Sequence, residues 1–235
     1  GPCFFMDWNP PDTWARTAAF LRGIPDSLPA APTAILLVTA HWLAPQPSLG
    51  SAAQPGLLFD YHGFPPHTYE LSYPAPGAPA LARRAAALLT DAGFAPRLDD
   101  ARGYDHGSFI PLKLAFPAAD VPVLQMSLLR SLDAGEHLRL GQALAPLRDE
   151  GVLIVGSGMS YHNMRGFMTG RGHADSLRFD EWLASVVTKP AAERDRALGE
   201  WTRAPAAREC HPREEHLLPL MVAAGAAGED LGARV

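Results

Sequence analysis

The chain carries nine histidines, at positions 41, 62, 67, 106, 137, 162, 173, 211 and 216. An imidazole titrates near neutrality, so it can take or give a proton or offer a lone pair to a metal. Four of the nine stand where such chemistry is useful. His41 closes the apolar run Ala34–Val38 in the word VTAHW. His162 lies beyond the run VLIVG, in GSGMSYHN. His106 sits in the turn YDHGS, and His216 heads the late apolar stretch EEHLLPL. His62 lies in FDYHGFP, among aromatic and glycine residues. None of these spacings is a short metal motif such as HExxH. Metal binding, proton transfer and plain hydrogen bonding therefore all stay open on the spacing alone. His67, His137, His173 and His211 read as ordinary loop or surface residues.

The elements that must position these rings follow from periodicity and punctuation. Helices are predicted over 10–23, 78–92, 109–116, 134–150, 179–189, 191–202 and 214–225. Strands are predicted over 34–40, 94–100, 121–129 and 152–158, with a short one near 57–59 inside the loop-rich stretch 48–72. Alternation of strands with helices predicts an α/β fold: one domain over residues 1–235, with a central, mostly buried sheet flanked by helices. In such sheets ligands gather beyond the carboxyl ends of strands, so His41 and His162 are expected to meet there.

Composition excludes several classes. Hydrophobic residues make up 47% of the 235 and charged residues 19%, enough apolar matter for a sizeable core. The formal net charge of -5, with scattered basic residues, gives no footprint for nucleic acid. Only two cysteines occur, Cys3 and Cys210, which points to a reducing, cytoplasmic setting rather than a disulfide framework. No apolar run approaches the roughly 18 residues of a spanning helix, so no membrane partner is expected. The segment GSGMS lacks the Lys-Ser/Thr of a P-loop and the third glycine of a dinucleotide fingerprint, and it does not fit the nucleophile elbow GxSxG.

Taken together and in order, VTAHW, YELSYPAPG, YDHGSF, SGMSYHN and EEHLLPL resemble the class III extradiol ring-cleavage dioxygenases, in their DOPA 4,5-dioxygenase-like branch. The likeness runs from about Phe4 to Ala227. It implies a mononuclear metal in a cleft, with His41, His162 and His216 as ligands and His106 as the acid–base residue. It implies Fe(II) as the cofactor for activity, with Zn(II) as another cation the site would take, and a catechol-type substrate together with O2. A further metal histidine is implied in a loop ahead of a proline near the N-terminus, and Gly1-Pro2 reads as the tail of that loop. The segment ahead of Phe179 reads as short for the family.

Around that centre, His62, Tyr161 and Phe64 are expected to line the ring pocket, with Pro65 and Trp42 as apolar walls. Ser157 and Asn163 are expected to hydrogen-bond to the ligands. Glu215 is an alternative carboxylate ligand, and Asp105 orients nearby backbone. Two other readings fit the same residues: a zinc-dependent hydrolase, since zinc accepts the same donors and activates water, and a non-catalytic protein that keeps the fold.

Overall fold

The computed structural model describes residues 1–235. In chain order the elements are α1 (Ala15–Ser27), β1 (Ala34–Ala44), β2 (Ser48–Gly50), α2 (Pro79–Asp91), β3 (Arg97–Asp99), α3 (His106–Ala115), β4 (Val123–Leu129), α4 (Ala134–Leu144), β5 (Val152–Ser157), α5 (Met164–Thr169), α6 (His173–Val187), α7 (Ala191–Gly199), α8 (Ala207–Cys210) and α9 (Leu218–Ala227). The strands form one sheet in the order β3-β2-β4-β1-β5. β1 is parallel to both β4 and β5, β2 is parallel to β3, and β2 meets β4 antiparallel at Leu49 and Met126.

Helices cover both faces, so β4 is buried along its whole length and β1 from Ala34 through Ala40. Along β1 the side chains alternate between two cores. Leu36 and Val38 join the larger one, with Phe179, Leu140, Leu144, Met221 and Val222 from the helices. Ile35 and Leu37 join the smaller one, with Phe109, Ile110, Tyr61 and Tyr104. β5 departs from the expected burial. It is an edge strand, paired only with β1, and Leu153, Ile154 and Val155 are half-buried. No helix is long and apolar enough to cross a membrane.

Three element boundaries matter for the site. β1 does not stop at residue 40 but runs on to Ala44, with an irregularity inside it. α3 starts at His106, earlier than expected, so this imidazole heads a helix instead of lying in a turn. α9 starts at Leu218, which leaves His216 in the connection ahead of it, with Pro219 in the helix's first turn.

Candidate metal centre

The site assembles at the carboxyl ends of β1 and β5. Along β1, Val38 pairs with Met126 of β4, and the pairing resumes only at Leu43 with Leu128. Residues 39–42 therefore bulge out of the ladder, and a bulge re-aims the side chains it carries. His41 is one of them.

His216 reaches the same point from the opposite side. Its approach explains the glycines of GSGMS. A Cβ on Gly156 would lie 2.3 Å from the Pro219 carbonyl oxygen, and one on Gly158 would lie 2.2 Å from that of His216. The amide of Met159 then donates to the His216 carbonyl at 2.8 Å. These glycines let the chain ahead of α9 lie against the end of β5; they cradle no phosphate.

His41 Nε2 and His216 Nε2 face each other at 3.2 Å, their ring centroids 5.0 Å apart and their planes at 77°. Burial, reinforced by the neighbouring His106, lowers the His41 pKa to about 3. Burial, then repulsion from His162 and His41, lowers that of His216 to about 2. Both rings are therefore neutral near pH 7, with lone pairs available. Two nitrogens bound at roughly 2.0–2.1 Å to one ion are separated by about 2.9–3.4 Å for angles between 90° and tetrahedral. The observed separation lies in that interval, so the pair fits a shared cation. The two Nδ1 atoms are buried without hydrogen-bond partners. Glu215 Oε1 lies 3.4 Å from His216 Nδ1, on the ring's far side, so Glu215 stands behind this histidine and not beside His41.

His162 is brought to the same cluster in a different attitude. Its ring stacks on that of His216, with centroids 3.3 Å apart and planes within 9°. Imidazole lone pairs lie in the ring plane, and two nearly parallel planes do not converge on a common point. His41 and His216 face each other, whereas the planes of His162 and His216 do not converge as the rings stand, although donor atoms of His162, Glu215 and His216 all lie within 4.8 Å of one another. Burial lowers the His162 pKa, which favours the neutral ring here too.

His106 occupies the third side. Its ring centroid is 3.9 Å from that of His41, with the planes at 41°. Asp60 Oδ1 lies 2.7 Å from His106 Nδ1 and accepts the His106 backbone N–H at 3.0 Å. Burial works to raise the Asp60 carboxyl, but these hydrogen bonds more than offset it and hold its pKa at about 2. Asp60 is a site residue that the sequence reading missed. It stands two positions before His62 in FDYHGFP.

In that loop the structure separates the expected pocket residues. Tyr61 is buried and meets the His106 ring edge-on at 5.6 Å and 82°. Phe64 packs against Tyr61 at 5.5 Å and 90°, so it belongs to the wall at one remove. His62 points to solvent. Tyr161 turns away from the cluster: Cβ atoms on Gly166 and Gly172 would fall 2.0 and 1.8 Å from its hydroxyl oxygen. Tyr161 thus packs under the α5–α6 connection, and the expectation that it and His62 line the ring pocket is corrected by this placement.

The supporting residues also differ from expectation. Ser157 Oγ donates to the Gly107 carbonyl, next to His106, and not to a ligand ring. Asn163 caps α5 through Gly166 N–H and donates to the Glu209 carbonyl. Trp42 is buried beneath the Arg102 guanidinium. Asp105 is wholly buried and points to Thr39 and Arg102. Burial raises its pKa, against the effect of those two partners. His137 and His211 are core residues: His137 Nε2 accepts from Leu129 N–H at 3.0 Å, and His211 Nε2 lies 3.0 Å from the Ser160 carbonyl.

Residues 9–235 match the family model described as the catalytic LigB subunit of aromatic ring-opening dioxygenase. The chain is 44% identical over 202 residues to the 4,5-DOPA dioxygenase extradiol of Beta vulgaris, covering 85% of this chain and 75% of that one. It is 43% identical over 212 residues to the dioxygenase tasH of Hapsidospora irregularis, covering 85% of this chain and 65% of the relative. To the 4,5-DOPA dioxygenase extradiol of Escherichia coli K12 it is 37% identical over 202 residues, covering 83% and 73%. The chain thus spans about two thirds to three quarters of the length of these relatives. The crystal structure of an uncharacterized protein from Escherichia coli K12 superposes with a TM-score of 0.71 at 31% identity, over 89% of this chain and 81% of the other. With residues 9–235 of its 235 matched, the chain belongs to the family of the catalytic LigB subunit of aromatic ring-opening dioxygenases.

Proposed function

We propose that this protein is an extradiol dioxygenase that opens the ring of a catechol-type substrate with O2, at a single Fe(II) held by His41 and His216. The observation that carries the reading is the 3.2 Å approach of nitrogens from two neutral, partly buried imidazoles, flanked by a third histidine tied to a carboxylate. Imidazole donors with open positions suit ferrous iron. The cation, when bound, supplies a meeting point for the two catechol oxygens and O2 and lowers the pKa of the diol.

The chain's own residues do the rest. Asp60 accepts the Nδ1–H of His106 and fixes its tautomer, which leaves Nε2 of that ring as the proton acceptor for a catechol hydroxyl. The same nitrogen returns the proton once the ring has opened. His162, neutral and stacked on His216, serves as a second proton carrier beside the cation instead of a third ligand. Tyr61 gives the aromatic substrate an apolar wall, with Phe64 behind it.

The test is anaerobic reconstitution of the metal-free protein with Fe(II), followed by oxygen uptake with a panel of catechols. Oxygen consumption with a coloured ring-opened product is expected. Hydrolysis of an ester or amide panel on zinc loading, with no oxygen uptake on iron loading, would overturn the proposal.

A further inference from the structure

The bulge of β1 sets four residues, Thr39 to Trp42, against the single residue Ser127 of β4. On the other side, pairing with β5 ends at Thr39 and Ser157. A metal ligand on an interrupted stretch of strand needs some other restraint. The backbone of His41 finds it in side chains. Its N–H donates to Thr39 Oγ1 at 3.2 Å. The Thr39 hydroxyl donates to Asp105 Oδ1 at 2.7 Å. Arg102 Nη2 donates to Asp105 Oδ2 at 3.1 Å and to the His41 carbonyl at 3.4 Å. These bonds form a closed circuit that leaves from the amide of His41 and returns to its carbonyl.

The circuit is itself anchored. The Arg102 guanidinium lies 4.6 Å over the ring of Trp42, the next residue of the bulge. Asp105 is fully buried, and its own N–H donates to Gln125 Oε1 of β4 at 3.0 Å. Gly107 is what allows the close approach: a Cβ there would fall 2.5 Å from His41 Nδ1 and 2.6 Å from Thr39 Oγ1.

We infer that Thr39, Arg102 and Asp105 are positioning residues for the metal centre, a clamp that fixes the His41 imidazole in its binding attitude before a cation arrives. This rests on the reading of His41 as a ligand. Each of the three acts through the backbone of His41. Removing a group that orients a ligand typically costs roughly 10–100-fold in metal affinity.

The experiment measures zinc affinity of the whole chain by competition with a chromophoric chelator, together with the visible spectrum of the Co(II)-loaded protein. The proteins are wild type, His41→Ala, Thr39→Ser, Thr39→Val, Arg102→Lys and Asp105→Asn. Thr39→Ser keeps the hydroxyl and is expected to behave as wild type. Thr39→Val and Arg102→Lys are expected to weaken zinc binding roughly 10–100-fold and to shift the cobalt bands while the proteins remain folded. Asp105→Asn is expected to lose at least as much. Thr39→Val and Arg102→Lys change little volume, so they carry the test if Asp105→Asn fails to fold. Folded Thr39→Val and Arg102→Lys proteins with wild-type zinc affinity and an unchanged cobalt spectrum would overturn the inference, even where His41→Ala loses zinc. Wild-type protein that binds no zinc, or a His41→Ala protein that binds it as well as wild type, would remove the ligand reading and this inference with it.

Discussion

One carboxylate oxygen, Asp60 Oδ1, holds His106 twice, through the ring nitrogen at 2.7 Å and the backbone amide at 3.0 Å. The contact joins a loop that has no regular structure to the first residue of α3, 46 positions further along the chain. It sets both where the imidazole sits and which of its nitrogens is free. Asp60→Asn keeps the shape but loses the anionic acceptor. We expect kcat to fall about 10–100-fold with bound metal unchanged, measured by steady-state oxygen uptake beside elemental analysis. Wild-type turnover in this variant would take Asp60 out of the reaction.

The histidines are expected to divide by what their loss removes. His41→Ala and His216→Ala should emerge with little bound iron. His106→Ala and His162→Ala should keep the metal and lose most turnover, by about 10²-fold or more if proton transfer limits the rate. Elemental analysis of the four purified variants decides the assignment. A His162→Ala protein empty of metal would restore that residue to the ligand set and show that its ring turns out of the stack.

The metal-free protein should lose stability as the pH falls below about 6.5. His41, His211 and His216 have folded pKa values lowered to about 3, 4 and 2, and His137 is lowered as well, chiefly by burial. Below about pH 6.5 the unfolded chain binds protons that the folded chain refuses, so stability present above that pH is lost on the way down. Each such group contributes a limiting slope of about 1.4 kcal/mol per pH unit. Asp60, held at about 2, begins to lose its contribution only below about pH 4. Urea unfolding in a chelator at pH 7, 6 and 5 measures the slope. A flat profile would contradict the burial of neutral imidazoles.

Gly107→Ala tests close approach as opposed to backbone freedom. Its Cβ would meet His41 Nδ1 and Thr39 Oγ1, both within 2.6 Å. We expect a loss of about 1–3 kcal/mol in unfolding free energy, as for other overpacked interiors, together with weaker metal binding. Chemical denaturation and chelator competition measure the two effects. A variant as stable as wild type would mean that the bulge yields easily.

The chain's periodicity made the frame legible, and it was the long-range pairings that stayed hidden. The mainly apolar runs 34–38, 121–129 and 152–156 announce β1, β4 and β5, most plainly for the central strands β1 and β4, which helices cover on both faces. β2 could not be read. Ser48–Gly50 follows Pro45 and Pro47 in a loop-like composition, and it is a strand only because β3 and β4 lie alongside. The bulge was hidden for the same reason, since it exists only relative to the register of β4. α5 did carry signals, Asn163 as its cap and Gly170 in the left-handed region at its end, but a helix of six residues leaves no periodicity to find.

The candidate site divides similarly. Four of the nine histidines stand in informative places along the chain, the family resemblance gave them roles, and the structure sets their rings side by side. Their attitudes could not be read from the chain: the parallel stack of His162 on His216 is set by the packing of two connections that are distant in sequence. Asp60 and Thr39 were missed because an aspartate in a loop and a threonine in a strand are ordinary until their partners arrive. Tyr161 was misjudged because an aromatic beside a histidine looks like a pocket wall, whereas Gly166 and Gly172 make room for it elsewhere.

The circuit through Arg102 has a mechanical corollary. It ties His41 to the loop that leads directly into His106 and, through Gln125, ties that loop to β4. The connection that carries His162 is tied differently, with Met159, His162 and Asn163 donating to the His216, Cys210 and Glu209 carbonyls, while Met159, Met164, Phe167 and Met168 along it lie open to water.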